Sequence, residues 1–264
     1  MATTCGAERE RIFLNTFTHI YLRISENCCT FALANVNNTT MTLLEAIQAR
    51  HSVRQYIDKP IEADKLQSLC DTIDLCNREG GTHLQLITDE PLAFSKSNAP
   101  MYGKFTNVRN YIAIVAPKGN EGSELAGYYG ERVVLHAQTL GLNTCWVGLT
   151  FKNIKTAYTI APGEELKAVI SLGYGATQGV QHPQKKSIED VTINKSNQLL
   201  PEWFIKGVEA ALLAPTAVNQ QKFTFILNAD QSVQAQTKFS LIGYTHLDLG
   251  IVKCHFELAS GHKL

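Results

Sequence analysis

The spacing of hydrophobic residues from Met41 onward predicts a mixture of helices and strands. Periods of three to four residues predict helices over residues 42–50, 61–74, about 124–140, 201–214 and 248–260. Short apolar runs predict strands over residues 83–88, 110–116, 144–149, 166–175 and 222–228. The run at 110–116, NYIAIVA, is continuously apolar, which is typical of a strand covered on both faces. Because helices and strands do not alternate regularly, the expected fold class is α+β.

Residues 1–40 differ from the rest of the chain. They contain three of the seven cysteines, end in NVNNTT and show no sustained period. We interpret them as an N-terminal extension that is not part of the fold, or as the product of an upstream start codon, with the domain spanning residues 41–264. The alternative is a native helix over residues 9–24 that packs on the domain.

The composition excludes several classes of protein. With 264 residues and 44% hydrophobic residues, the chain can bury a large core as one domain or two compact halves. Lys+Arg and Asp+Glu both number 24, so no excess positive charge is available to hold nucleic acid, although a small anion could still be held locally.

The cysteines and apolar runs indicate the cellular environment. The seven cysteines are odd in number and form no C-x-x-C pair, which argues against a metal centre and a disulfide framework. No apolar run is long enough to cross a membrane. We expect reduced thiols in a soluble, cytoplasmic protein.

A weak internal echo predicts two related halves. Gly127-Tyr128 precedes the helical sequence ERVVLHAQTLGLN, and Gly243-Tyr244 precedes LDLGIVKCHFELASG. The halves would span about residues 41–180 and 190–264.

The segment ARHSVRQY, residues 49–56, concentrates anion-binding groups. It supplies the guanidiniums of Arg50 and Arg54, the imidazole of His51 and the hydroxyl of Ser52. Arginine pairs with phosphate oxygens in a bidentate way. The alternative is a basic helix end that merely suits the helix dipole.

Two further segments could contact a flat, polar ring. In APTAVNQQKFTFIL, residues 214–227, a proline is followed by Thr216, Asn219 and Gln221, whose amides could pair with an imide edge such as that of a flavin pyrimidine. In GLNTCWVGL, residues 141–149, Gly148 would let the backbone approach such a ring. Taken alone, the first is better explained as a helix C-terminal turn whose Asn and Gln satisfy backbone groups, and the second is better explained as core.

Together with LGYG followed by HPQKKSIEDV, these segments resemble the nitroreductase family of flavin enzymes. The resemblance implies a nitroreductase-like fold, with a central, mainly antiparallel sheet flanked by helices. It also implies bound FMN. Arg50, His51, Ser52, Arg54 and Tyr56 match the family motif R-[RH]-S-x-R-x-[YF], which holds the phosphate and ribityl chain.

The resemblance assigns the other segments as well. Ala214 to Gln221 looks similar to the family sequence A-P-S-A-x-N-x-Q, which implies flavin contacts from Pro215, Thr216, Asn219 and Gln221. The remaining cofactor-binding residues that it implies are Cys145, Trp146, Val147 and Gly148 beside the isoalloxazine ring and Lys185 and Lys186 beside the phosphate. Two loop lysines are otherwise usually a solvated surface.

The order of the motifs departs from the usual family pattern. The segment at residues 214–227 follows the first motif closely in most members, whereas here it lies far downstream. This order is similar to a divergent branch in which one chain carries two related halves. A homodimer and a pseudo-dimeric monomer therefore both stay open.

The activity that the resemblance implies is an FMN-dependent reduction. NAD(P)H would be a transient reductant, because the sequence has no G-x-G-x-x-G, and the acceptors would be nitroaromatics, quinones or similar compounds in a ping-pong mechanism. No catalytic protein residue is required, and Arg54 is the candidate that stabilises reduced flavin electrostatically. One alternative is a non-catalytic FMN-binding protein, a sensor or flavin store, whose ring face is blocked by Phe105, Tyr128, Tyr129 or Phe151. A homologue that has lost flavin is the other.

Overall fold

The structure, a computed structural model, describes residues 41–95, 104–196 and 198–264. The interpretations of residues 1–40 as an extension or as a native helix lie outside the described residues. Residues Thr40–Leu264 form one compact unit. The division of that unit into two related halves stays a prediction.

The described residues contain five α-helices, and five were predicted. They are α1 Leu43–Ala49, α2 Ala63–Gly80, α3 Gly119–Thr139, α4 Glu202–Leu212 and α5 Thr245–Ser260. Short 3-10 turns occur at Pro91–Phe94, Glu189–Val191 and Ala217–Asn219. A capping box between Thr42 and Glu45 opens α1.

The predicted start of the long helix near residue 124 was wrong. Helix α3 begins at Gly119, in a polar, glycine-rich stretch that shows no apolar period. Glycine is needed there, because a Cβ at Gly122 would lie 1.8 Å from the carbonyl oxygen of Pro117. Helix α5 likewise begins at Thr245, ahead of the predicted 248.

The strands form two separate sheets. They are β1 His83–Ile87, β2 Asn110–Pro117, β3 Asn143–Val147, β4 Glu164–Gly173, β5 Thr192–Asn194, β6 Phe223–Leu227 and β7 Val233–Thr237. The first sheet has the order β1-β2-β4-β3 and is antiparallel throughout. In the second, β5-β6-β7, the β5–β6 pair is parallel and the β6–β7 pair antiparallel. The predicted α+β class with a mainly antiparallel central sheet is confirmed.

Strands β5 and β7 were not predicted. Strand β5 has only three residues, and β7, VQAQT, alternates half-buried and exposed positions with few apolar residues. Both depend on pairing with β6, whose five residues are all buried.

The continuously apolar strand β2 separates two parts of the core. Ile112 and Ile114 pack with α2 and α3 residues such as Leu69 and Val133. The alternate residues, including Tyr111, pack with a second cluster on the other face. Both faces are covered, which explains why the sequence shows no polar alternation there.

Helices α3 and α5 touch backbone to backbone. A Cβ added at Gly127 would lie 2.0 Å from the carbonyl oxygen of Leu247, and one added at Gly250 would lie 1.9 Å from that of Glu124. These two helices carry the internal echo seen in the sequence.

Within the described residues, no helix combines the length and apolar character needed to cross a membrane.

We predict that Gly250→Ala destabilises the protein by about 1–3 kcal/mol, because the new methyl group overlaps the α3 backbone. Helix propensity alone would give the opposite sign, a gain of about 0.5–1 kcal/mol. Urea unfolding of both proteins measures the difference. An unchanged or higher midpoint for the variant would contradict the close contact.

Candidate active site

A cavity of about 650 Å³ lies within the compact unit. Its volume falls in the range that small-molecule sites occupy. Twelve of the predicted cofactor-binding residues line it: Arg50, His51, Ser52, Arg54, Trp146, Val147, Gly148, Lys185, Pro215, Thr216, Asn219 and Gln221. Segments that are distant in sequence therefore meet at one site.

The predicted residues Cys145 and Lys186 do not line the cavity. Neighbouring side chains on a strand point to opposite faces, so Cys145 and Trp146 diverge on β3. The Cys145 thiol packs in the core with Val53 and Tyr56, and burial there raises its pKa. Sequence motifs give the spacing of these residues but not the face on which each side chain lies.

The segment at residues 49–56 lies along β3, the edge strand of the first sheet. Helix α1 ends at Ala49 because Arg50 takes an extended conformation, with φ −72° and ψ 132°. The chain then runs beside β3, where the Val53 N–H donates to the Thr144 oxygen at 3.0 Å. Val53 is buried in the core, whereas Ser52 and Arg54 line the cavity.

One end of the cavity is rich in positive charge. Its lining includes Arg50, His51, Arg54, His182 and Lys185. Among the described residues, neither arginine side chain forms an ion pair, and the Arg50 Nε is buried without a hydrogen-bond partner. Arg50 is only 7% exposed, so water does not readily satisfy this donor.

The pKa values of the two histidines in this lining, His51 and His182, are lowered in part by the same positive charges. Burial, followed by the charges of Arg50 and His182, lowers the pKa of His51. Burial, followed by the charges of Arg54, Arg50 and Lys185, lowers the pKa of His182. An anion in this end of the cavity would relieve the repulsion between these groups.

The turn at residues 216–221 has a strained backbone. Val218, Asn219 and Gln221 have φ values of 47°, 53° and 45°, in the left-handed region that disfavours non-glycine residues by about 1–2 kcal/mol each. The Gln221 N–H donates to the Thr216 Oγ1 at 3.1 Å and helps to hold the turn. Strain concentrated beside a cavity is typical of functional sites.

Gln221 supplies a buried acceptor with no partner. The residue is 2% exposed, and its Nε2 donates to the Leu212 oxygen at 2.7 Å. Its Oε1 is buried without a hydrogen bond among the described residues. An unmatched buried acceptor costs about 1–3 kcal/mol, so this atom indicates a donor on a ligand.

Asp248 of α5 holds the turn at residues 216–221 through two hydrogen bonds. This residue was not among the predicted site residues. Its Oδ1 accepts from the Ala217 N–H and its Oδ2 from the Gln220 Nε2, both at 2.8 Å. Burial raises the pKa of Asp248 to about 7, against the opposing effect of these hydrogen bonds. The available signal was an acid among apolar residues in LDLGIV.

Gly148 allows a contact other than the one expected. A Cβ there would lie 2.6 Å from the Tyr244 ring, so the missing side chain makes room for this phenol. Both residues line the cavity. The close contact between Gly148 and the Tyr244 ring therefore forms part of the cavity wall.

Residues 42–260 match the family model described as "Putative TM nitroreductase". This match spans most of the chain, and the chain belongs to this family. It is an oxidoreductase of the nitroreductase type, and the predicted family resemblance is confirmed.

One solved structure supports the fold, and two further nitroreductase structures align with about half of the chain. "A putative nitroreductase" from Thermotoga maritima has a TM-score of 0.56 and 23% identity, over 87% of this chain and 88% of that chain. An FMN-dependent nitroreductase from Clostridium difficile aligns with 55% of this chain and 95% of its own, with a TM-score of 0.43 and 19% identity. A nitroreductase in complex with FMN from Desulfovibrio desulfuricans aligns with 56% and 92%, with a TM-score of 0.39 and 17% identity. No curated protein matches the chain.

We predict that Asp248 makes stability fall as pH rises. The folded protein keeps this proton up to about pH 7, whereas the unfolded carboxyl, with a pKa of 3.8, loses it near pH 4. Its stabilising contribution is therefore complete below about pH 4 and is lost as pH rises to about 7, with an upper limit on the order of 4 kcal/mol.

Asp248→Asn tests this expectation, since the amide keeps an oxygen for the Ala217 N–H but does not titrate. Urea unfolding at pH 4.5 and pH 8 should show that the variant gains stability relative to the parent at the higher pH. Equal differences at both pH values would disprove the buried titration.

Proposed function

We propose that the protein is an FMN-dependent oxidoreductase that uses NAD(P)H to reduce nitroaromatics, quinones or similar acceptors in a ping-pong mechanism. The observation that carries the proposal is a pair of unmatched buried atoms in one cavity. The Arg50 Nε lacks an acceptor, and the Gln221 Oε1 lacks a donor. FMN offers both groups, a phosphate anion and an imide N–H.

The positive end of the cavity fits the phosphate. Arg50 and Arg54 are free of carboxylate partners among the described residues, and Ser52, His51 and Lys185 add donors on the same lining. Arginine forks suit phosphate oxygens, and a fixed charge beside a buried anion costs no reorganisation. In this proposal these five residues hold the phosphate and ribityl chain, and Arg54 also favours reduced flavin. Cys145 and Lys186 are not in the proposed set.

The turn at residues 216–221 fits the imide edge. Gln221 would accept the imide N–H through its Oε1, and Thr216 and Asn219 provide further polar groups on the lining. The Asn219 Nδ2 also lies 3.5 Å from the Pro183 oxygen, which connects this turn to the segment that carries Lys185. Pro215, Trp146, Val147 and Gly148 provide further, largely apolar lining.

The protein residues bind, orient and exclude water, and FMN supplies the two-electron chemistry when bound. The sequence contains no dinucleotide-binding fingerprint, which supports a transient NAD(P)H that shares the open part of the cavity with the acceptor. Residues from distant segments of the chain line one cavity, and in this proposal each chain binds one FMN; a monomer and a homodimer both stay open. A cytoplasmic location stays a prediction.

The non-catalytic alternative gains little support from the lining. Of the four aromatic residues proposed to block the ring face, Phe105 lines the cavity and Tyr128, Tyr129 and Phe151 do not. The distinction between a reductase and a flavin store therefore falls to experiment.

We predict that the purified protein shows flavin absorbance at one FMN per chain. Anaerobic addition of NADPH or NADH should bleach these bands, because the open cavity admits the nicotinamide. Bands that persist would favour the flavin store. No flavin after incubation with FMN would overturn the cofactor assignment.

We predict that Arg50→Ala weakens FMN binding by about 1.5–3 kcal/mol, roughly 10- to 150-fold in Kd, because a charged hydrogen bond is lost. Fluorescence titration of the apoprotein measures Kd. Lys186→Ala is the matched control, since this lysine does not line the cavity and should leave Kd nearly unchanged. Equal effects of both variants would indicate a general charge effect and count against the site.

A further inference from the structure

A buried hydrogen-bond network, formed by Trp146, Glu131, His255 and the backbone of Ala210, lies behind the cavity wall. The Trp146 Nε1–H donates to the Glu131 Oε2 at 2.7 Å, and the Glu131 Oε1 lies 2.9 Å from the His255 Nε2. The His255 Nδ1 lies 3.0 Å from the carbonyl oxygen of Ala210. Glu131 and His255 are both fully buried, and neither lines the cavity.

The partners fix the positions of the hydrogens. A backbone carbonyl only accepts, so the His255 Nδ1 must carry a hydrogen and donate it to Ala210. The indole only donates, so the Glu131 Oε2 is an acceptor. One proton therefore remains between the Glu131 Oε1 and the His255 Nε2. Whichever of the two atoms carries it, both are hydrogen-bonded.

Trp146 is the residue of this hydrogen-bond network that lines the cavity. Its indole fits beside α3 because residue 130 is glycine, where a Cβ would lie 2.5 Å from the Trp146 Cη2. The next residue along α3, Glu131, holds the indole N–H. Consecutive residues of one helix thus determine both the space and the orientation of this ring.

We propose that Glu131 and His255 are positioning residues that hold the Trp146 indole in the cavity wall and thereby shape the surface that a bound flavin contacts. The flavin part of this inference rests on the proposed function. The position of the indole can be measured without any cofactor, so the two parts can fail separately.

The chain contains two tryptophans, Trp146 and Trp203, which makes a specific reporter available. Trp203 stacks on His262, with ring centroids 3.8 Å apart, and does not line the cavity. Trp203→Phe therefore leaves Trp146 as the sole indole. In this background, acrylamide quenching and hydrogen exchange of the indole N–H report on the Glu131 contact.

Glu131→Leu and Glu131→Gln separate the hydrogen bond from packing. Glutamine keeps an oxygen for the indole N–H and an amide N–H for neutral His255, whereas leucine keeps neither. Loss of a hydrogen bond changes populations by roughly 2- to 10-fold, so Glu131→Leu should speed indole exchange and increase quenching, and Glu131→Gln should largely restore the parent values.

Glu124→Leu is the matched control, because it removes the ion pair with Lys253 between the same two helices. It should leave the Trp146 signals unchanged. A folded Glu131→Leu protein with parent-like exchange and quenching would overturn the inference. If this variant does not fold, rapid exchange of the indole N–H in the Trp203→Phe protein would overturn it as well.

The flavin part is tested by FMN titration of the same proteins. Glu131→Leu should raise Kd about tenfold, and it should have no further effect when Trp146→Phe is already present. An equal effect of Glu131→Leu in both backgrounds would show that Glu131 does not act through the indole. If the parent binds no FMN, the proposed function fails, and the exchange and quenching data alone decide whether Glu131 positions Trp146.

Discussion

The backbone contact between α3 and α5 is the constraint on which the cavity depends. Gly127 and Gly250 remove the side chains that would keep the helices apart. This contact brings Asp248 and His255, two turns apart on α5, to the places where they act. Asp248 holds the turn at residues 216–221, and His255 supports Glu131 on α3. A wider spacing between these helices would loosen two walls of the cavity at once.

Among the described residues, two of the buried polar atoms without a hydrogen-bond partner, the Arg50 Nε and the Gln221 Oε1, lie on cavity-lining residues, and two others, the Tyr111 hydroxyl and the Thr192 Oγ1, do not. In the buried hydrogen-bond network of Trp146, Glu131, His255 and Ala210, each of these side-chain groups has a partner. By contrast, Arg50 and Gln221 leave buried atoms unpaired, and the turn beside Gln221 adds left-handed strain. These local costs come to a few kcal/mol. A ligand that pairs with both atoms would offset them, and for this reason their shared location supports a binding site better than either motif does alone.

The sequence predicted the class of fold and twelve of the residues that line the cavity, because both depend on local spacing. The helical period located α1 to α5, and the family motifs located Arg50 and Gln221. It could not predict which face of β3 a residue occupies, so Cys145 was grouped with Trp146. Nor could it identify Asp248, Glu131 or His255, since a polar residue on an otherwise apolar helix has meaning only once its partner is known. Strands β5 and β7 were missed because their stability comes from β6 and not from their own composition.

The proposed ligand contacts come from distant parts of the sequence. Of the residues that we propose to hold the phosphate, four follow α1 and Lys185 precedes β5, whereas those that we propose to hold the imide edge precede β6. A ligand that contacts all of them would join segments whose contact exists only when the whole unit is folded. Its binding energy would therefore oppose global unfolding more than local opening, since the unfolded chain has no comparable site. In a homodimer whose sites lie between subunits, the same energy would instead depend on protein concentration. Here both segments line one cavity of the same chain, so a ligand-induced gain in stability that does not depend on protein concentration would support the site that we propose.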